Sequence, residues 1–124
     1  MKPFLRWLPA ILVMAVIFTF SSTPGSEMPD FGLLDLFVKK GGHMLGYGLL
    51  ALAYLFALSP VAGGHGVRPY VVAFVLALLY ALSDEFHQSF VPGRHPSLVD
   101  ALLIDPTGAG LALLAAWLVR KKKK

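Results

Sequence analysis

The sequence predicts an all-α membrane protein in which four helices form a transmembrane bundle. Apolar residues make up 56% of the 124 residues and charged residues only 15%, whereas a soluble domain usually carries about 25% charged residues. The apolar residues are gathered into four stretches, each close to the roughly 20 residues that a helix needs to cross the hydrocarbon core. Because the backbone in lipid must satisfy its own hydrogen bonds, these stretches are expected to be helical.

The first apolar stretch covers about residues 4–20 and follows the basic residues Lys2 and Arg6, as in a secretory signal peptide. A cleaved signal peptide ends in small residues of the A-x-A type, but here Phe-Ser-Ser-Thr-Pro follows over residues 20–24. This favours an uncleaved signal-anchor helix over a signal peptide. Residues 25–35 are rich in proline and glycine, which predicts a connection to the next helix.

The second stretch, residues 41–58, opens with Gly42-x-x-x-Gly46, and Gly48 lies just beyond. Glycines at this spacing allow helix backbones to approach closely in lipid, where packing drives association. This face of the second helix is therefore predicted to contact another helix. Residues 59–69, which are rich in proline and glycine, predict the second loop.

The third stretch is predicted to be helical over about residues 70–90, until Pro92-Gly93 breaks it. The fourth covers about residues 98–119. Ser97-x-x-Asp100 at its start fits a capping box, in which the serine side chain accepts a backbone N–H and the acidic side chain reaches back.

The lysines and arginines predict that both termini of this single domain, residues 1–124, lie in the cytoplasm. This topology leaves eight of the eleven basic residues inside and only Lys39, Lys40 and Arg94 outside. Five of the eight form the tail at residues 120–124, so the tail carries much of the prediction. A basic tail beside an apolar stretch is typical of an anchor near anionic lipid head groups.

Composition argues against two further classes of function. No basic face with interleaved aromatic residues occurs outside the tail, so nucleic-acid binding is not expected despite the net charge of +4. The chain has no cysteine, which rules out disulfides, thiolate zinc sites and cysteine nucleophiles.

Polar residues of all four predicted helices fall on the outer side of the membrane, whereas the cytoplasmic halves are almost free of ionisable groups. Asp84 lies about 21 Å along the third helix, within the outer third of the hydrocarbon layer, and Glu85 is its neighbour. Each charge at such a depth costs about 2.5–3.5 kcal/mol and marks a functional site by default. Arg94, Lys39 or Lys40 is expected to compensate these two carboxylates.

The polar residues divide into two candidate groups. Asp84, Glu85 and His43 are candidate catalytic residues, which would act as general acid or base. Arg94 would hold an anionic head group through its planar fork of donors. The candidate substrate-binding residues are polar groups on the same side of the membrane: Arg94, Gln88, Lys40, Asp100, Asp105 and Ser22.

The segment from Ser83 to Arg94, which reads SDEFHQSFVPGR, resembles the VanZ-like family of bacterial membrane proteins. That family typically shows a D-E-x-x-Q segment, a P-G-R turn, an S-x-x-D motif and a D/N-x-x-G motif. Asp105 occupies the first position of the last motif, where asparagine is about as common an expectation as aspartate. The remaining matches cover nearly the whole chain: Phe20-Ser21-Ser22, Lys40-x-x-His43, Ser97, Asp100, Asp105 and Gly108.

The resemblance implies a four-helix protein of the bacterial cytoplasmic (inner) membrane. It links the chain to a family named after a protein associated with resistance to teicoplanin, a glycopeptide antibiotic that acts on the cell envelope. It does not imply an agreed reaction, a substrate or an oligomeric state.

The polar residues and the resemblance lead to one main hypothesis and three alternatives. The main hypothesis is an outward-facing polar pocket that binds or modifies an envelope lipid or a lipid-linked envelope precursor. A structural or partner-binding protein with a buried ion-pair network and no catalysis is the runner-up. A transporter is disfavoured, because four short helices make a thin scaffold and the polar groups do not continue to the cytoplasmic side. No cofactor is expected, although a divalent metal ion held by the histidines and carboxylates is a third alternative.

Overall fold

The computed structural model describes residues 2–59 and 66–123, and these residues form four helices and no strand. All four helices are long and apolar enough to cross a membrane, which confirms the predicted helical membrane fold. Short 3-10 turns lie at Pro3–Trp7, Gly25–Glu27 and Gly32–Leu34, and a π-helical turn at Asp100–Ile104 leads into the last helix. The helices are α1 (Leu8–Ser22), α2 (Asp35–Leu58), α3 (Arg68–Gln88) and α4 (Asp105–Lys122).

The predicted start of α2 at residue 41 is wrong, because the helix begins six residues earlier, at Asp35. Its first turn is stabilised by an ion pair of 2.8 Å between Asp35 and Lys39, one turn apart. The helical run that leads through the π turn into α4 begins at residue 98, as predicted, and the remaining boundaries differ from the predicted ones by at most four residues. Most of the predicted second loop, residues 60–65, lies outside the described residues.

The helices run up and down, so that α2 and α4 are parallel to each other and antiparallel to α1 and α3. Lys40 near the start of α2 pairs with Asp100 just before α4. At the opposite end, the guanidinium group of Arg6 donates hydrogen bonds of 2.7 and 3.2 Å to the carbonyl of Phe56. We call the end where α2 and α4 begin the polar end, and the end where they finish the basic end.

The bundle has a small-residue interior and a bulky apolar exterior. Large apolar side chains point outward, and Phe86 and Phe90, for example, are more than 70% exposed. An exterior of this kind suits hydrocarbon, and small interior residues let helices pack closely in lipid. The buried interior consists mainly of alanines and tyrosines: Ala10, Tyr47, Ala51, Ala53, Tyr54, Ala57, Tyr70, Ala73, Ala77, Ala81, Ala101 and Ala109.

A close backbone contact joins α2 and α4 where Gly108 meets Met44 and Gly48. A Cβ added to Gly48 would lie 3.2 Å from the carbonyl oxygen of Gly108, and one added to Gly108 would lie 2.6 Å from the Cα of Met44. The prediction that the glycine face of α2 packs closely against another helix is therefore confirmed at Gly48 but wrong for Gly42 and Gly46. Gly42 faces open space, and a Cβ on Gly46 would be 3.9 Å from its nearest neighbour.

Gly108→Ala is expected to destabilise the bundle by about 1–3 kcal/mol, because the added methyl group meets backbone atoms that cannot rotate away. Gly110→Ala is the matched control in the same helix, since its Cβ would lie 3.7 Å from the ring of Phe74, an ordinary contact. The control should be neutral or gain up to about 1 kcal/mol from helix propensity. Thermal unfolding in detergent measures both, and equal midpoints would contradict the proposed role of Gly108.

Candidate functional site

The polar side chains gather at the polar end because two helices finish there and two begin there. Each helix therefore brings a polar turn to the same end of the bundle. The two networks described below involve residues from every helix. The sequence-predicted site residues found at this end are His43, Asp84, Glu85, Gln88, Lys40, Asp100, Asp105, Ser22 and, in the segment between α3 and α4, Arg94.

Two charged pairs link α2 to the start of the α4 helix. Lys40 forms an ion pair with Asp100. His43 Nδ1 lies 3.0 Å from Asp105 Oδ1, and the Asp105 side chain is only 1% exposed, whereas that of His43 is 27% exposed. The second carboxylate oxygen of Asp105 is buried without a hydrogen-bond partner among the described residues. Asp105 is thus a fully buried carboxylate whose one polar contact in the described chain is an imidazole.

The π-helical turn explains why both carboxylates face α2. The Asp105 N–H donates to the carbonyl of Asp100, five residues back. In a regular α-helix, residues five apart point about 140° away from each other. A π turn holds roughly 4.4 residues, which reduces this angle to about 50°. Lys40 and His43, three residues apart on α2, are separated by about 60° and so face the two carboxylates together.

A second network is built around Asp84, which is 4% exposed. The Tyr47 hydroxyl donates to Asp84 Oδ2 at 3.3 Å, and the Gln88 side-chain amide donates to the same oxygen at 3.2 Å. Gln88 Nε2 also lies 3.2 Å from the hydroxyl oxygen of Ser21, on α1. The ring of Tyr47 is stacked on that of His43, with 6.5 Å between the centroids. Tyr47 therefore connects the Asp84 network to the pair of His43 and Asp105.

Tyr47 and Ser21 were not among the predicted site residues. The spacing from His43 places Tyr47 on the same helical face, but a tyrosine in an apolar helix is commonly a packing residue. Ser21 and Ser22 are adjacent and chemically equivalent in sequence, so that only the rotation of α1 decides which one faces Gln88.

Glu85 accepts the backbone N–H of Ser97 at 2.6 Å, and the Ser97 hydroxyl accepts the N–H of Asp100 at 3.4 Å. In a capping box, the side chain of the acidic residue three positions later accepts the backbone N–H of the serine. Here Glu85, on α3, accepts that N–H instead of Asp100, and Asp100 pairs with Lys40. Glu85 thus caps the helical run that leads into α4.

The prediction that a basic side chain pairs with Asp84 or Glu85 is wrong. Lys40 pairs with Asp100, and Lys39 pairs with Asp35 on its own helix. Within residues 2–59 and 66–123, both carboxylates are satisfied by neutral donors, because Tyr47, Gln88 and a backbone N–H reach them.

Arg94 forms no ion pair among the described residues, and its Nε is buried without an acceptor. The segment that carries it is held against the α1–α2 connection, where the Gly25 N–H donates to the Pro92 carbonyl at 2.9 Å. Gly93 has a φ of +72°, a conformation that favours glycine, and its Cα region touches the backbone of Gly25. The guanidinium group is therefore carried by a closely packed turn.

Ser22 contacts His87 rather than the Asp84 network. The Ser22 hydroxyl lies 2.8 Å from the Phe18 carbonyl, to which it donates, and 2.9 Å from His87 Nε2. Since a hydroxyl has one proton, the imidazole N–H must be the donor to Ser22. In this arrangement His87 cannot activate Ser22 as a nucleophile.

No group of three or more histidines or carboxylates in the described ranges, 2–59 and 66–123, is placed to hold a metal ion. The carboxylates that the metal alternative needs are instead divided among different partners: Tyr47 and Gln88, Ser97, Lys40 and His43. The metal alternative stays a prediction, and the site is better described by its hydrogen bonds.

Glu85→Gln is expected to keep the cap, because the amide oxygen still accepts the Ser97 N–H. Glu85→Leu removes the acceptor and should destabilise the protein by about 1–3 kcal/mol, the cost of an unsatisfied buried donor. Thermal unfolding in detergent and amide exchange over residues 97–101 measure the difference. If Gln destabilises the helix as much as Leu, the charge rather than the acceptor is what matters.

The motifs of the polar end lie inside the region that matches a known family. A family model described as VanZ/LLP1 matches residues 6–120, nearly the whole chain. No curated protein and no solved structure matches the chain. The four membrane-spanning helices are consistent with the family match. The chain is a membrane protein that belongs to the VanZ/LLP1 family.

Proposed function

We propose that the protein binds an envelope lipid or a lipid-linked envelope precursor by its anionic head group, and acts on it through His43. The observation that carries this proposal is the pair of His43 and Asp105, in which a buried carboxylate orients an accessible imidazole. The proposal places the polar end at the outer leaflet of the bacterial cytoplasmic membrane, with both termini in the cytoplasm.

The pair has the geometry of a general base with its orienting group. With Asp105 ionised, the Nδ1–H of His43 donates to Oδ1, which leaves the lone pair of Nε2 available. No described residue contacts Nε2 by a hydrogen bond. A hydroxyl group of the substrate, or a water molecule, would give its proton to Nε2, and the negative charge of Asp105 would stabilise the imidazolium that forms.

Arg94 and Lys40 are the proposed anion-binding groups. The Nε of Arg94 is buried and has no acceptor among the described residues, so it fits a ligand that supplies one, and the planar fork suits a phosphate or a carboxylate. Lys40 is 35% exposed and lies one turn from His43. An anionic head group held at Lys40 would lie beside the imidazole.

The other carboxylates have supporting roles in this proposal. Gln88 holds Asp84, which accepts the hydroxyl of Tyr47, and the ring of Tyr47 is stacked on that of His43. Glu85 holds the start of the helical run that carries Asp100 and Asp105. The acid–base role first assigned to Asp84 and Glu85 passes to His43, since both carboxylates are occupied as acceptors.

The structural alternative, a polar network without catalysis, is favoured by one observation. Glu85 and Asp84 are satisfied within the protein, as they would be in a network that only orients the bundle. The two proposals differ at His43, where the network needs an imidazole donor to Asp105 but has no use for Nε2.

His43→Gln keeps a side-chain donor for Asp105 but removes the base, so it should lower the rate of any lipid modification about 10²-fold or more. Membranes from cells that produce the wild type, the variant or no protein are compared by mass spectrometry of extracted lipids and lipid-linked precursors. Lys39→Gln is the control, since Lys39 pairs with Asp35 on its own helix. Wild-type lipid changes that persist in His43→Gln would contradict the catalytic role and favour the structural alternative.

The proposed orientation is tested by single cysteines, because the chain has none of its own. Cysteine at Pro92 or Ser89, at the polar end, should react with an impermeant thiol reagent in intact cells. Cysteine at Ser59, at the basic end, should react only after the cells are opened. Labelling at position 59 but not at 92 would invert the topology and place the polar end in the cytoplasm.

A further inference from the structure

A groove runs along the outside of the bundle between α2 and α4, towards the basic end. Its volume is about 480 Å³, within the range of about 300–1,000 Å³ that is typical of ligand pockets. It begins just beyond the contact of Gly48 with Gly108, where small side chains on α4 leave space beside Leu52. The residues that line it are Leu52, Ala112, Ala115, Ala116, Val119, Arg120 and Lys123.

The groove has two chemically different parts. Its walls are alkyl groups, and Ala115 and Val119 are exposed on the outer surface of α4. Its end towards the terminus of α4 carries the cationic side chains of Arg120 and Lys123. A ligand that fits both parts has an apolar chain and an anionic group at one end.

The charges of the whole chain favour an anionic ligand at this end. All seven acidic residues lie in or beside the polar end, from Glu27 in the α1–α2 connection to Asp105. The described residues of the basic end carry several cations and no carboxylate side chain. Those cations are Lys2, Arg6, Arg68, Arg120, Lys121, Lys122 and Lys123.

We propose that the groove between α2 and α4 binds an anionic phospholipid, with an acyl chain along the alanines and the phosphate at Arg120 and Lys123. Basic pockets between membrane helices bind anionic lipid head groups in this way. A phospholipid is a better occupant than a second copy of the chain, because two copies would bring two basic rims together. The site lies at the opposite end from the pair of His43 and Asp105, so the proposal does not rest on the proposed function.

The test is native mass spectrometry of the purified full-length protein in detergent, titrated with phosphatidylglycerol or with phosphatidylcholine of the same acyl chains. The wild type should bind phosphatidylglycerol at least about fivefold more tightly than phosphatidylcholine, since each basic contact favours the anionic lipid. Ala115→Phe fills the groove and should reduce this preference, whereas an anionic lipid held at Arg94 and Lys40 would be unaffected. Ala15→Phe is the matched control, an exposed alanine on α1 that does not line the groove.

The charge requirement is tested by two double variants with the same net charge. Arg120→Gln with Lys123→Gln removes both groove cations and should weaken binding of phosphatidylglycerol at least about fivefold. Lys121→Gln with Lys122→Gln removes two cations that do not line the groove and should have a much smaller effect. Circular dichroism and thermal unfolding verify that each variant folds.

Three results would overturn the proposal. The first is that the wild type binds the two lipids equally. The second is that the two double variants weaken phosphatidylglycerol binding to the same extent. A third result is that Ala115→Phe converts a dimer into a monomer without changing lipid binding, which would make the groove an interface between copies. Variants of His43 should leave phosphatidylglycerol binding unchanged, so that a failure of this proposal and a failure of the proposed function are distinguishable.

Discussion

The contact between Gly48 and Gly108 is the constraint on which the arrangement of the site depends. Because neither residue has a side chain, the backbones of α2 and α4 meet there at van der Waals distance. This contact sets the register of two parallel helices, and the residues one or two turns before it then face each other. His43 meets Asp105 as a consequence. A shift of one residue along either helix would rotate these partners apart by about 100°.

At the polar end, two carboxylates lie within the apolar bundle without a guanidinium or ammonium group as partner. Asp84 receives hydrogen bonds from a tyrosine and an amide, and Glu85 receives a backbone N–H from another helix. These donors are neutral and fixed, so the carboxylates strengthen the bundle in the way that helix caps do. Arg94 remains as a cation whose Nε is buried without an acceptor among the described residues, and the imidazole of His43 remains partly exposed.

The sequence was sufficient to predict four helices and the concentration of polar residues at one end, because both follow from hydropathy and from position along each helix. It was not sufficient to predict which polar groups bond to each other or which helices lie opposite each other. Glu85 bonds to a main-chain N–H, and no side-chain pattern reports such an acceptor. The Gly42-x-x-x-Gly46 spacing shows that a helix has a smooth face, but not which helix lies opposite. Asp100 and Asp105 both face α2 because a π turn lies between them. A projection that assumes a regular α-helix gives the wrong angle between these two side chains.

The separation of charge along the bundle has an electrical consequence. With seven carboxylates towards one end and most of the lysines and arginines at the other, the chain is a permanent dipole along the axis of the bundle. Moving one charge through a membrane potential of 100 mV changes the free energy by about 2.3 kcal/mol. A potential of this size would favour insertion with the lysine tail on the electrically negative side, and it would continue to act on the dipole after insertion.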